Sequence, residues 1–202
     1  MTLLSIFSIL GLLIASLGFL SVFIITLLVT RLRLGEIPPH KHDLNSLVLF
    51  ILCTIWVVFC VWYIITPEII VFLGLFTFLQ EIWFQIIGLF CLSGLVILLA
   101  AFFEMDNSFR MGIPPDDEPS AALITTGIFR YTRNPGFLGI DLAVFGTFLL
   151  VPTVFFGLLI ILACIFFHFQ IKKEEKYLLQ KHGEAYKRYF QKTGRYIPKL
   201  IE

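Results

Sequence analysis

The first thirty residues, Met1 to Thr30, carry no charged side chain, and an apolar run of that length belongs in a lipid bilayer. It is longer than the roughly 7–15-residue apolar core of a secretory signal and lacks the basic start of one, so it reads as an uncleaved spanning helix. Within it Ser8, Gly11, Ala15 and Gly18 recur at spacings of three and four. That small-residue stripe lets another helix of the same chain approach closely. Four more apolar helices follow, at about 45–66, 82–103, 136–151 and 153–170. Crossing the hydrocarbon takes about 20 residues, so the first two are comfortable spans and the last two are short. Residues 67–81, apolar but bounded by Pro67 and Glu81, read as a half-inserted or interfacial turn. The expected fold is an all-α integral membrane protein of about five transmembrane helices. Residues 1–104 hold the amino-terminal spans (about 3–30, 45–66 and 82–103), and 105–202 form a second unit with a tight helical hairpin (about 136–170) and a cytoplasmic helical C-terminal segment.

Composition agrees with this: 58% of the 202 residues are hydrophobic and 23 are Phe, far from the usual globular balance. A net charge of +1 gives no reason to expect nucleic acid as a partner. Cys53, Cys60, Cys91 and Cys164 all sit inside apolar runs without metal-ligand spacing, so they read as small buried hydrophobes and no metal site is expected. All 15 Lys and Arg fall in three segments: 31–41, 110–133 and the stretch after Gln170. The positive-inside rule then puts the amino terminus outside and these three segments in the cytoplasm, with five spans giving consistent parity.

Two polar cassettes bracket the hairpin: TGIFRYTRNPGFLG at 126–139 and KKEEKYLLQKHGEAYKRY at 172–189. Asn134-Pro135 is a helix start, with Asn expected to cap the first turn and Pro to supply its φ. From Pro135 to Val151 the helix rises only about 25 Å, so either the bilayer thins or the mouth lies below its surface. Val151-Pro152-Thr153 reverses the chain almost without a loop, which sets Gly136 level with His168 and brings Arg133, Asn134 and Phe137 toward Glu174 and Glu175. A helix amino terminus with Arg side chains suits a carboxylate, paired glutamates suit a cation, and Phe129, Tyr131, Phe137 and Tyr177 offer aromatic faces. A ligand with a carboxylate, an ammonium, a flat ring and a sulfonium meets all of these needs. S-adenosylmethionine fits that description.

The ordered set Leu123-Ile124, Gly127-Ile128-Phe129, Arg133-Asn134-Pro135-Gly136-Phe137, Glu174-Glu175 with Leu178, His182-Gly183-Glu184-Ala185-Tyr186 and Arg195-Tyr196-Ile197-Pro198 resembles the signature of the isoprenylcysteine carboxyl methyltransferase-like family, related to the phospholipid N-methyltransferases. The likeness covers roughly the last 80 residues. It implies a membrane methyltransferase that takes S-adenosylmethionine from the cytoplasm, releases S-adenosylhomocysteine, and methylates a lipophilic or small-molecule acceptor reached from the bilayer. Carried over by position, it implies Ala121, Ala122, Leu123, Ile124, Phe129, Asn134, Pro135, Gly136, Phe137, Glu174 and Glu175 as cofactor contacts. Arg133, Glu174, Glu175 and Asp141 are the residues expected to carry catalysis. Phe129 and Phe137 stand where relatives have Tyr, Ala121 where they often have His, Asn134 where the eukaryotic branch has His, and Gln170 where they tend to have an Arg for the acceptor carboxylate.

Other polar groups have local readings. Asp141, an acid inside a span, is a functional candidate or an inter-helix hydrogen-bond partner. His168 either serves the site or offsets a helix dipole, Arg110 lies in a loop able to close the pocket, and Arg130 either joins the site or anchors headgroups. Tyr186, Tyr189 and Phe190 form a stripe compatible with an interfacial helix or a lid. Two rival functions stay open at this point: an NADPH-dependent enzyme like the sterol reductases, which resemble this family in their C-terminal core, and a non-enzymatic membrane carrier or scaffold in which Asp141 couples to an ion.

Overall fold

A computed structural model describes residues 3–34, 44–66, 81–105 and 122–199. Helix α1 is Leu3–Leu34, α2 Leu44–Ile65, α3 Ile82–Cys91, α4 Gly94–Met105, α5 Pro135–Leu150 and α6 Val154–Lys192, with a 3-10 turn at Gly127–Arg130 ahead of α5. The described part is an all-α membrane protein. Ile6–Ile25, Ile82–Met105 and Val154–Lys192 are long and apolar enough to cross a bilayer, and Ile51–Ile65 and Pro135–Leu150 are shorter apolar helices. Large apolar side chains such as Leu17, Phe90, Val96 and Phe169 face outward, as lipid rather than water requires. The interfacial turn expected at 67–81 lies almost wholly outside the described residues, as do Lys41, Arg110 and the acidic loop up to Ala121.

Two elements differ from expectation. The span expected at 82–103 is broken: the amides of Leu92 and Ser93 bond to the carbonyls of Leu89 and Phe90, three residues back, before α4 restarts at Gly94. The helix expected at 153–170 instead continues to Lys192, bent only at Gly183, whose φ of 49° and ψ of −120° leave the helical region. Nothing between Ile171 and His182 stops it, because that stretch contains neither Gly nor Pro and is rich in good helix formers. We take 154–171 as its spanning part, since charged residues begin at Lys172.

The hairpin has the expected register. Thr153 caps α6, its Oγ1 accepting from the Phe156 amide at 3.3 Å. The Phe137 and Phe167 rings sit 5.3 Å apart and the Cys164 thiol lies 4.0 Å from Asp141 Oδ1. At the reversal the last carbonyls of α5 have no intrahelical partner and no water in hydrocarbon to replace one. Side chains from distant helices supply the bonds: Gln85 Nε2 donates to the carbonyls of Leu149 and Leu150 at 3.2 and 3.0 Å, and Ser8 Oγ to that of Leu150 at 2.7 Å. Trp56 Nε1 donates to Thr147 Oγ1 at 3.0 Å. Around these bonds lies the core, with Leu12, Ala15, Trp56, Phe59, Leu150 and Phe156 at its centre.

The small-residue stripe of α1 packs within the chain: Gly11 closes on Leu150 and Gly18 on Leu95, while Ala15 is fully buried. Helix α5 lies most extensively against α3 and α4. There Gly88 meets Gly146 and Gly94 meets Gly139, backbone against backbone; a β-carbon on Gly88 would stand 2.9 Å from the Gly146 carbonyl. These glycines set how deep α5 sits, and α5 carries the first cassette.

Candidate active site

Both cassettes end in one polar clasp at the mouth of the hairpin. Thr132 pairs with Gly194 in a short parallel bridge, in which the Arg133 amide donates to the Gly194 carbonyl at 2.9 Å. Thr132 Oγ1 and Asn134 Nδ2 both donate to the Arg195 carbonyl, at 2.9 and 3.2 Å. Tyr189 OH donates to the Phe129 carbonyl at 2.7 Å. These bonds tie the residues ahead of α5 to the far end of α6 and the segment after it.

Glu175 is the centre of the clasp. Arg133 Nε and Nη2 donate to its Oε1 at 3.1 and 2.8 Å. Arg195 Nη2 donates to Oε2 at 2.6 Å, and Arg195 Nε lies 3.1 Å from both oxygens. The Arg133 and Glu175 side chains are 4% and 9% exposed. Arg133 Nη1 also donates to the carbonyls of Phe190 and Thr193, and its guanidinium lies 4.0 Å from the Phe190 ring centroid. Burial alone raises the Glu175 carboxyl, but the hydrogen bonds from Arg195 and Arg133 outweigh it and hold the group below the usual glutamate range. Fork-shaped Arg–carboxylate bonding of this kind fixes orientation as well as charge.

The adjacent Glu174 has another environment. Gln170, one helical turn back, donates from Nε2 to Glu174 Oε1 at 2.9 Å. The Glu174 surface is half-buried, yet its surroundings are dense enough that burial pushes its carboxyl up to about 7. Gln170 is 4% exposed, and its Oε1 has no hydrogen-bond partner among the described residues.

The other expected site residues fall around this centre. Pro135 is buried at the first position of α5, as expected of N1. Asn134 departs from expectation. It occupies the N-cap position but its oxygen makes no side-chain cap bond, so the first turn of α5 lacks that cap, while its Nδ2 donates to the Arg195 carbonyl. Gly136 and Phe137 are half-buried, the latter packed on Phe167; Phe129, Leu123 and Ile124 are half-buried and Ala122 is exposed. Ala121 lies outside the described residues. Asp141 sits two turns deeper, half-buried beside Cys164, and His168 Nδ1 is 3.2 Å from Tyr196 OH. Arg130 is exposed and stacks on Tyr131 at 5.2 Å, outside the clasp.

Sequence reasoning placed Arg133 and Glu175 at the site but did not assign Arg195, although the Arg-Tyr-Ile-Pro segment marks its position. Charge balance was the available signal, since burying Arg133 and Glu174-Glu175 together leaves one carboxylate in want of a cation. The arrangement has two acceptor groups pointed away from the clasp's own bonds, Glu174 and Gln170, and an uncapped helix amino terminus suited to an anion.

A family profile described as phospholipid methyltransferase matches residues 69–185. The protein-S-isoprenylcysteine O-methyltransferase of Schizosaccharomyces pombe is 30% identical over 116 residues, covering 55% of this chain and 48% of that protein. Probable protein-S-isoprenylcysteine O-methyltransferases of Oryza sativa, subspecies indica and japonica, are each 34% identical over 130 residues, covering 61% of this chain and 66% of theirs. The chain thus spans about half the length of the first and just under two thirds of the others. The matched region of the profile includes the first cassette, the hairpin and Glu175, and stops before Arg195.

Proposed function

Because the chain belongs to the phospholipid methyltransferase family, whose profile matches more than half of it, we propose that it is a membrane methyltransferase that binds S-adenosylmethionine at the clasp and methylates a lipophilic or small-molecule acceptor. One observation carries most of the weight: both cassettes meet at the mouth of the hairpin, where an uncapped helix start lies at the same end as buried acceptor groups. The residues present fit the cofactor. The first-turn amides of α5 suit its carboxylate, Glu174 and Gln170 suit a group bearing N–H donors, and Phe129, Phe137 and the apolar side chains of Leu123 and Ile124 suit the adenosine. When bound, S-adenosylmethionine supplies an electrophilic methyl group on its sulfonium.

The chain's own residues then do the rest. Arg133, Glu175 and Arg195 hold the segment ahead of α5 against α6 and so fix the geometry in which nucleophile and methyl group must align. Phe137 against Phe167 closes the apolar floor of the mouth and keeps water from it. Asp141, beside Cys164 on the hairpin, is placed to take a proton if the acceptor is an amine. The site faces the cytoplasm on the charge distribution of the sequence.

The test is binding to purified protein in detergent. S-adenosylhomocysteine at about 100 times its Kd is expected to stabilise the fold by about 2.7 kcal/mol, visible as a rise in melting temperature, whereas NADPH produces none. A well-folded protein that binds no S-adenosylhomocysteine overturns the proposal, and one that binds NADPH instead favours the reductase class.

A further inference from the structure

A second set of polar groups lies on the spanning part of the hairpin and, among the described residues, shares no hydrogen bond with the clasp. Asp141 stands about 9 Å along α5 from Pro135, and Cys164 and His168 stand on successive turns of α6. Asp141 Oδ1 is 4.0 Å from the Cys164 thiol, and that weak donor is its only hydrogen-bond partner among the described residues. His168 Nδ1 lies 3.2 Å from the hydroxyl of Tyr196, in the segment beyond α6. The Tyr196 phenol is raised above its usual range, by burial first; Arg195 lowers it, and the charges of Asp141 and Glu175 raise it. The two pairs are therefore neighbours. Asp141, His168 and Tyr196 are half-buried, whereas Cys164 is exposed between the outward-facing Ile161, Ile165 and Phe169. The set thus opens on the bilayer. An acid at membrane depth is costly unless it binds something, and a thiol at 4.0 Å offsets little of that cost.

We propose that Asp141, Cys164, His168 and Tyr196 form the seat of the methyl acceptor, which presents there a neutral nucleophile that still carries hydrogen, an amine or a thiol, on an alkyl chain lying in the bilayer. The inference rests on the methyltransferase reading and deepens it by naming the chemistry of the acceptor. A carboxylate is turned away, because the seat holds an acid and neither Lys nor Arg, and the guanidinium groups of Arg133 and Arg195 are spent on Glu175. A neutral nucleophile must instead lose its proton. In the step its lone pair forms the bond to the methyl carbon, the carbon–sulfur bond breaks with its pair left on sulfur, and the N–H or S–H proton passes to the Asp141 carboxylate. One positive and one negative charge vanish together, an outcome that apolar surroundings favour. His168, oriented by Tyr196, then passes the proton from Asp141 toward the cytoplasm, since Tyr196 lies past the end of the span.

The experiment uses the whole chain in detergent, with S-adenosylmethionine as donor and dodecylamine, dodecanethiol and dodecanoic acid as acceptors. Wild type is expected to methylate the amine or the thiol about tenfold faster than the acid, or more, and the faster of the two identifies the nucleophile. Asp141→Asn then slows that transfer by about 100-fold or more, the scale of general-base catalysis, while calorimetry finds S-adenosylhomocysteine affinity within about twofold of wild type. His168→Ala slows it about tenfold and free imidazole in the medium restores the rate, which a merely structural role does not allow. Position is read without turnover. Analogues of dodecylamine and dodecanethiol that carry a diazirine at the third carbon are expected to cross-link to the turns around Asp141 and Cys164, in competition with the parent compounds. No transfer to amine or thiol, transfer to dodecanoic acid as fast as to either, Asp141→Asn as fast as wild type, or cross-links confined to other helices overturns the seat. His168→Ala unmoved by imidazole overturns the relay. Where Asp141→Asn also loses S-adenosylhomocysteine binding, the cross-links of wild type decide. Binding of S-adenosylhomocysteine by wild type in any of these events leaves the methyltransferase reading standing, whereas no binding at all overturns both.

Discussion

Glu175→Ala is expected to lower stability by roughly 3–5 kcal/mol, the scale on which a buried pair fails when one partner is removed. Arg133 and Arg195 both direct their guanidinium groups at that one carboxylate, and Arg133 is 4% exposed. Without the anion two cations face each other, one of them buried and the other 28% exposed. Thermal unfolding in detergent measures the loss, and limited proteolysis after Lys192 locates it, because the segment that carries Arg195 is held mainly by this clasp. Arg195→Ala should cost less, since Arg133 still neutralises Glu175. Acid should weaken the clasp in the same way. The folded-state Glu175 titrates below its ordinary range, so its contribution is fully present above about pH 4.3 and is lost as pH falls through the depressed value. A Glu175→Ala protein that melts and is cleaved like wild type contradicts the clasp.

The second large effect is expected at Gly139. A β-carbon there would lie 2.8 Å from the Leu98 amide nitrogen and 3.1 Å from Leu98 Cβ, with the Gly94 carbonyl nearer still. Backbone cannot swing aside as a side chain does, so Gly139→Ala must push α5 away from α4, at about 1–3 kcal/mol by the usual cost of overpacking. Gly136→Ala is the control for stability: its nearest neighbour is Leu98 Cδ1 at 3.8 Å, an ordinary contact. If both variants melt alike, the glycine crossing does not set the position of α5. Gly139→Ala should also weaken S-adenosylhomocysteine binding, because the first turn of α5 moves with the helix.

The spans were legible because charge-free runs leave little choice in hydrocarbon, and the hairpin register because Val151-Pro152-Thr153 leaves no slack for α5 and α6 to slide. The break at Leu92-Ser93 was not legible as such. Its Ser-Gly pair is tolerated inside many helices, and here it coincides with the crossing of Gly94 over Gly139 on another helix. The length of α6 was underestimated because hydropathy falls at Lys172 although helix propensity does not. The least legible step was the division of labour between Glu174 and Glu175. The two look identical in sequence, but neighbours on a helix point about 100° apart, so one faces Arg133 and the other faces Gln170. Helix phase separates them, and only the packed neighbours reveal which is which. The uncapped start of α5 was hidden for a related reason: the orientation of the Asn134 side chain depends on a carbonyl 61 residues downstream, that of Arg195, to which its Nδ2 donates.

That separation of 61 residues also orders events in the making of the protein. At about 5–20 residues per second of synthesis, Arg195 follows Asn134 out of the ribosome by roughly 3–12 s, and both hairpin helices must be threaded into the bilayer in the interval. The clasp therefore closes last. Arg133 and Glu175 can pair once α6 is in place, but until the Arg195 segment docks the Glu175 Oε2 side of the clasp lacks its cation. The bridge of Thr132 to Gly194 therefore forms only after the whole hairpin has been made.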